Sequence, residues 1–313
     1  MTIQQLEYIV AVEQYRHFAN AAEACCVTQP TLSMMIQKLE EELDTKIFDR
    51  SSHPVKPTKT GMRIIDQARI TLRQFGLVRE IVENEQNIAR GGFMLGVIPT
   101  IARYLVPELV RRQTDDHNEI ELTIKENTTE VMITELVSGR LDGGLMAGPL
   151  HHPHLVEYPI YYEKFYAYVS PNDDAYHDRE IDINRVDIDN IWLLEDVHCF
   201  RGQIERLCRM KRTVPANHTS VRYEAGSIDT LISIVDSNRG ITVIPEMSAM
   251  GLPEDKQDNL RPFKNTTAVR EVSLVVSREY IRKTMLNTVM EMIRRSVPKS
   301  MQDEELKKFV VEL

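Results

Sequence analysis

Apolar residues return every three or four positions at the start of the chain. Ile3, Leu6, Ile9, Val10 and Val12 give residues 3–17 one helical face. Phe18-Ala19-Asn20-Ala21-Ala22-Glu23-Ala24 predicts a short helix of small residues that a neighbouring helix can approach closely, and Cys25-Cys26-Val27 reads as a turn. Thr28 as N-cap and Pro30 in the first turn open a third helix, with Leu32, Met35, Ile36, Leu39 and Leu43 as its apolar stripe. Gln29, Thr31, Ser33, Met34, Gln37 and Lys38 are left on or near its open face. Lys46–Arg50 and Val55–Thr58 then predict a small hairpin around Ser51-Ser52-His53-Pro54. Two helices, a tight turn and a hairpin form the pattern of a winged helix-turn-helix, whose second helix enters a major groove. A plain three-helix domain shares the helical pattern but lacks the basic wing.

From Thr60-Gly61 a long helix is predicted to about Gln86. Its seam of Ile65, Ala68, Leu72, Phe75, Val78 and Val82 suits either a coiled-coil dimer or packing on its own domain. Ala89-Arg90-Gly91-Gly92 is the linker. Strand and helix then alternate: Phe93–Val97, a helix from about Ile101, Ile120–Lys125, a helix to Val137, and Leu141–Met146. Asn127 and Glu130 form a capping box for the second of these helices, and Gly139 suits its exit. This order predicts an open parallel sheet that takes ligands beyond the carboxyl ends of its strands. Thr100 and Thr129 fall at those junctions, where hydroxyls and free amides suit an anion or a peroxide oxygen, or act as ordinary caps. A second unit has strands at Phe165–Val169, Ile191–Leu194, Val221–Glu224 and Ile241–Pro245, with a Ser227-capped helix ending at Asn238-Arg239-Gly240. Val272–Val276 is a strand returning to the first unit, and a final helix starts at Lys283. The expected domains are 1–60 (winged helix-turn-helix), 61–90 (linker and dimerisation helix) and 91–313 (regulatory). The last divides into lobe I, about 91–161 and 267–313, and lobe II, about 162–266, with a cleft between them. The tail Leu306, Phe309, Val310, Leu313 is amphipathic.

The net charge of −9 argues against nucleic acid until its distribution is considered. Residues 46–73 hold seven basic side chains against Asp49 and Asp66, a basic stripe on an acidic chain that suits localised phosphate contact. Gln29 has the donor–acceptor pair for adenine, and Pro30 and Thr31 offer apolar contact to a thymine methyl. Arg50, Lys56 and Lys59 suit phosphates, setting register rather than sequence. The first residues form neither a signal peptide nor a membrane span, so the expected compartment is the reducing cytoplasm. Four cysteines in 313 residues make no disulfide scaffold. Cys25 and Cys26 read as packing residues. Cys199 and Cys208 stand nine positions apart, with Phe200, Ile204 and Leu207 on one helical face and Arg201/Glu205 and Glu205/Arg209 at supporting spacing. A helix would hold their Cα atoms roughly 13 Å apart, whereas a disulfide needs about 4.4–6.8 Å. His198 and Arg201 would lower the Cys199 thiol's pKa. The segment is therefore either a switch whose closure destroys the helix, or an ordinary helix with two small apolar cysteines. No second ligand pair supports a zinc site, and no cofactor is read.

Ala21-Ala22-Glu23, Thr28-Gln29-Pro30-Thr31-Leu32-Ser33, Gln37–Leu43, Phe48-Asp49-Arg50 and Thr58-Lys59-Thr60-Gly61 together resemble the LysR-type transcriptional regulators. The likeness spans the whole chain and implies a winged helix-turn-helix, a linker helix and a two-lobed, periplasmic-binding-protein-like (type 2) α/β effector domain. Within the family, Thr100, Thr129, His198-Cys199 and Cys208 resemble the hydrogen peroxide sensors. That likeness implies Cys199 as peroxidatic thiol, Cys208 as its resolving partner, and Thr100, Thr129, His198 and Arg270 around the peroxide. It implies DNA contacts from Gln29, Pro30, Thr31, Ser33, Met34, Lys38, Arg50, Lys56 and Lys59. It also implies promoter DNA and RNA polymerase as partners, a homotetramer built as a dimer of dimers, and no membrane. The chain departs from the pattern over Phe200–Leu207 and at Met34, where a polar or basic residue is common. The product of such chemistry is a conformation, so no enzyme is expected. A small anionic metabolite in the cleft is the second reading. A thiol peroxidase or solute-binding protein is the third, and the N-terminal motif disfavours it.

Overall fold

The computed structural model describes residues 1–85, 89–115, 119–183, 186, 191–195, 199–207, 225–264, 267–280 and 282–311, without the side chains of 73, 77–85, 115 and 199. His198, Cys208 and the strand expected at Val221–Glu224 lie outside the described residues, as does the Cys199 side chain. The chain divides into two compact units, one centred on residues 1–85, the other on residues 89–134, 141–280 and 284–311.

In the first unit, α1 (Ile3–Tyr15) opens on a capping box between Thr2 and Gln5. It stops two residues earlier than its apolar pattern suggests, because Arg16 turns into the left-handed region (φ 50°). The next helices are α2 (Phe18–Ala24) and α3 (Gln29–Glu42). Thr28 holds the N-cap position of α3, but its hydroxyl bonds Thr31 Oγ1 at 2.8 Å and makes no backbone cap. Strands β1 (Phe48–Asp49) and β2 (Lys56–Pro57) pair antiparallel as the wing, and α4 (Lys59–Glu85) follows. A Cβ at Gly61 would collide with the Ile47 carbonyl, so only glycine lets α4 cross the start of the wing this closely. Ile9, Val12, Leu32, Ile36, Leu39, Ile47 and Ile65 are fully buried in one core. The α4 seam divides: Ile65, Ala68 and Leu72 pack into this core, while Phe75 is 59% exposed. Packing on its own domain is therefore the correct reading for the first part of the seam.

In the second unit, β3 (Gly91–Val97), α5 (Pro99–Asp115), β4 (Ile120–Glu126), α6 (Thr129–Val137) and β5 (Gly143–Gly148) form the expected βαβαβ run. β3 lies between β4 and β5, parallel to both. The α6 cap falls one residue later than expected, at Thr128, whose carbonyl accepts from Met132 N at 3.0 Å. Gly139 takes φ 75° at the helix exit. β6 (Leu155–Val169) is three times as long as the strand expected at Phe165–Val169. Its first part pairs antiparallel with β9 (Val269–Ser277), and its last five residues pair with β7 (Ile241–Pro245). The strand order is β4-β3-β5-β9-β6-β7, and the short β8 (Leu260–Arg261) pairs with β6 off that path. One strand thus serves both lobes, and the sheet is mixed rather than parallel. Glu157, Pro159 and Glu163 interrupt the apolar run that would have revealed its length, and the register shifts between Pro159 and Tyr161. Ile191–Leu194 is a second correction: only isolated bridges form there, Ile191 to Ile241 and Leu194 to Ala225. The remaining α-helices among the described residues are α7 (Cys199–Leu207), α8 (Ile228–Ser237), α9 (Glu246–Met250), α10 (Glu254–Gln257) and α11 (Lys283–Arg295). No described helix is long and apolar enough to cross a membrane.

Candidate functional site

The exposed face of α3 carries Gln29, Pro30, Thr31, Met34 and Lys38, while Leu32, Ile36 and Leu39 bind the helix to its core. Lys56 and Lys59 are exposed on β2 and at the start of α4. Ser33 is half-buried and accepts from Arg50 Nη1 at 3.3 Å. Arg50 also donates to Glu40 Oε2 at 3.3 Å and stacks 5.3 Å from the Phe18 ring centre. Glu40, unassigned by the sequence reading, organises this corner. Its buried carboxylate accepts from the backbone amides of Ile47 (2.8 Å) and Phe48 (3.2 Å), tying the wing to α3. The sequence held a signal: Glu40 falls four residues after buried Ile36, where a charge needs partners. Glu40→Ala is expected to orphan two buried amides at roughly 1–3 kcal/mol each. The first unit's melting temperature should drop, and DNA binding should weaken by about tenfold, or about 1.4 kcal/mol. Calorimetry and fluorescence anisotropy measure the two effects, and unchanged affinity would remove Glu40's role in setting the wing.

In the second unit, β3 and β4 run side by side in parallel, so their carboxyl ends deliver α5 and α6 at one edge of the sheet. Thr100 and Thr129, both buried, stand in the opening turns of those helices. Arg270 reaches Thr100 from β9. Its guanidinium is fully buried, with Nη1 donating to Thr100 Oγ1 at 2.9 Å and Nη2 to the Thr100 carbonyl at 3.3 Å. Directly opposite in the β6–β9 register lies Glu163, whose Oε1 accepts from Arg270 Nε at 2.6 Å. Its Oε2 accepts from Met247 N at 3.1 Å. The third neighbour of Arg270 is Phe200, fully buried, with its ring centre 5.4 Å from the guanidinium carbon.

Phe200 is the second residue of α7, so the helix that begins at Cys199 rests against the arginine. Its apolar face is the expected one. Phe200 and Ile204 are fully buried, Leu207 packs beside them, and Phe200 meets Phe165 edge-on at 5.6 Å. Arg201 makes the expected pair with Glu205 at 2.9 Å and also donates to the Leu194 carbonyl at 3.2 Å. Gln203, buried on the same helix, donates to the Val311 carbonyl at 3.3 Å, so the C-terminal segment abuts α7. Cys25 and Cys26 lie in the first unit, and partial burial pushes the Cys25 thiol up from its usual range.

The structure thus brings Thr100 and Arg270 into contact and places Thr129 at the same sheet edge. Glu163 was missed. Its signal was the alternation Tyr161, Glu163, Phe165, Ala167, Val169, an inward-facing series in which one charge is out of place. Between the first turns of α5 and α8 lies a cavity of about 350 Å3, lined by Thr100, Arg103, Tyr104, Glu126, Ser227 and Asp229 among others. Arg103 and Asp229 pair there at 2.7 Å.

Comparison with known proteins agrees with this architecture. Residues 3–62 match the bacterial regulatory helix-turn-helix protein, lysR family, and residues 86–298 match the LysR substrate binding domain. The chain is 33% identical over 275 residues to the hydrogen peroxide-inducible genes activator of Haemophilus influenzae, covering 88% of this chain and 90% of that protein. It is 32% identical over 262 residues to the DNA-binding transcriptional dual regulator OxyR of Escherichia coli, covering 83% of each. A full-length OxyR variant from Pseudomonas aeruginosa superposes with a TM-score of 0.79 at 31% identity, over 94% of this chain and 98% of that one.

Proposed function

The chain belongs to the LysR family of bacterial helix-turn-helix regulators, and from that premise we propose that it is a DNA-binding activator switched by hydrogen peroxide through a reversible Cys199–Cys208 disulfide. The observation that carries the reading is the contact of α7 with Arg270: the helix opening at Cys199 rests on the guanidinium that clasps Thr100.

The chemistry runs in two steps. The Cys199 thiolate attacks one peroxide oxygen, and the O–O bond breaks. The departing oxygen takes a proton from the donors around Thr100 and leaves as water, with sulfur oxidised to a sulfenic acid. The Cys208 sulfur then attacks that sulfur, the S–OH bond breaks, the thiol's proton joins the departing hydroxide as a second water, and the S–S bond forms. From Cys199 to Leu207 the helix rises roughly 12 Å at ~1.5 Å per residue. A residue one peptide bond beyond Leu207, with its ~3.8 Å Cα step, comes no nearer to Cys199 than roughly 8 Å while α7 stays wound. A disulfide closes only below about 6.8 Å. Closure therefore unwinds α7 and draws Phe200 and Ile204 from the core, and this rearrangement is the signal. Thr129 and His198 complete the peroxide's surroundings.

The exposed face of α3 reads promoter bases, Arg50, Lys56 and Lys59 hold phosphates, and exposed Phe75 on α4 continues a seam for a second copy. A dimer of dimers then presents four heads to DNA beside RNA polymerase. For the metabolite reading, the cavity beside Thr100 has a suitable size. Among the described residues its lining sets Glu126 and Asp229 against Arg103, which disfavours an anion. Mass spectrometry after near-stoichiometric peroxide tests the proposal: Cys199 and Cys208 should become joined and Cys25 and Cys26 stay reduced. A sample without that cross-link refutes the switch.

A further inference from the structure

We propose that Glu163 is a positioning residue for the peroxide step, acting through Arg270 to fix which way the Thr100 hydroxyl gives its proton. This rests on the peroxide reading above and deepens it.

A threonine hydroxyl has one proton to donate and two lone pairs to accept with. Arg270 holds Thr100 at two points, Nη1 on Oγ1 at 2.9 Å and Nη2 on the backbone carbonyl at 3.3 Å. An arginine can only donate, so Thr100 Oγ1 is the acceptor in this bond and its own proton must point elsewhere. Accepting from a cation also polarises the O–H, making it the better donor to an oxygen that is gaining negative charge. The hydroxyl is thus set to donate to a guest before any guest arrives, which is what a leaving hydroxide requires.

Arg270 is not held in that pose by Thr100 alone. Glu163 takes Nε at 2.6 Å and Nη2 at 2.5 Å on the same oxygen, Oε1, fixing the guanidinium plane from the opposite side. Glu163 is itself fixed by the β6–β9 register and by Met247 N on its other oxygen. The chain of constraint runs from the α9 amide through Glu163 and Arg270 to the Thr100 hydroxyl. Glu163, Arg270 and Thr100 are all buried, so water does not substitute for a missing partner among them.

The test uses two reagents on the full-length reduced protein, with modification at Cys199 followed by mass spectrometry. Hydrogen peroxide needs a proton for its leaving oxygen, and iodoacetamide needs none for iodide. Glu163→Gln should lower the ratio of the two rate constants at least tenfold, with alkylation changed less than twofold. In an Arg270→Gln background the same substitution should alter the ratio less than twofold, because its effect passes through Arg270. If Glu163→Gln does not yield folded protein, Glu163→Asp keeps the charge, shortens the reach by one methylene, and should lower the ratio at least threefold. An unchanged ratio, both rates falling together, or an undiminished effect in the Arg270→Gln background overturns the assignment. If the unsubstituted protein's Cys199 reacts with peroxide no faster than a free thiol, the peroxide reading falls and takes this inference with it.

Discussion

Cys199→Ser is expected to abolish induction by peroxide while leaving promoter binding by the reduced protein intact. Serine is close in size to cysteine, so α7 keeps its anchors, Phe200 and Ile204 in the core and Gln203 on the Val311 carbonyl. A hydroxyl cannot be carried to a sulfenic acid, so no disulfide follows and the helix is never unwound. Cys208→Ser should stop one step later, with a sulfenic acid at Cys199 that a dimedone label captures and mass spectrometry counts. Reporter transcription measures the outcome in cells. Undiminished induction of the Cys199→Ser variant by peroxide would favour a metabolite in the cavity beside Thr100 as the inducer.

The second large effect is on stability. Arg270→Ala leaves the Glu163 carboxylate buried without its cation, which costs about 3–5 kcal/mol. For a domain of this size each kcal/mol shifts the melting temperature by about 2–4 °C, so calorimetry should show a drop of roughly 6–20 °C. Peroxide oxidation of Cys199 should slow as well, because Thr100 loses both bonds that orient it. Replacing the pair together, Arg270→Met with Glu163→Leu, should recover most of the stability and none of the peroxide rate. A buried ion pair is costly to break and cheap to replace with apolar residues, so the double variant separates cohesion from chemistry. A melting loss below about 2 °C for Arg270→Ala would remove its part in stability, and normal oxidation in the apolar double variant would remove its part in the peroxide step.

Both experiments rest on residues that the chain reveals to different degrees. Most of what short-range periodicity carries was legible, the Ile191–Leu194 strand and the length of β6 excepted. The helices Ile3–Tyr15, Gln29–Glu42 and Cys199–Leu207 follow from apolar spacing, and the junction positions of Thr100 and Thr129 follow from strand–helix alternation. The lysR-family motifs likewise lie within a few residues of one another. The pairing of Glu163 with Arg270 was not legible, because 107 residues separate them and only the β6–β9 register sets them opposite. Nor was the Glu40 clasp on the wing, which depends on where the chain returns after the α3 turn. The division of the α4 seam was equally hidden: Ile65 and Phe75 look alike in sequence, and only the packed core distinguishes buried from exposed.

By itself the sequence determined most of the helices, the βαβαβ run, and the apolar face of the helix that opens at Cys199, since each of these is set by local spacing. Tertiary structure decided which charges meet and which hydroxyl an arginine holds, along with the reach of one long strand through both lobes. Those outcomes depend on strand register and burial, which arise only when distant stretches of chain share the same core.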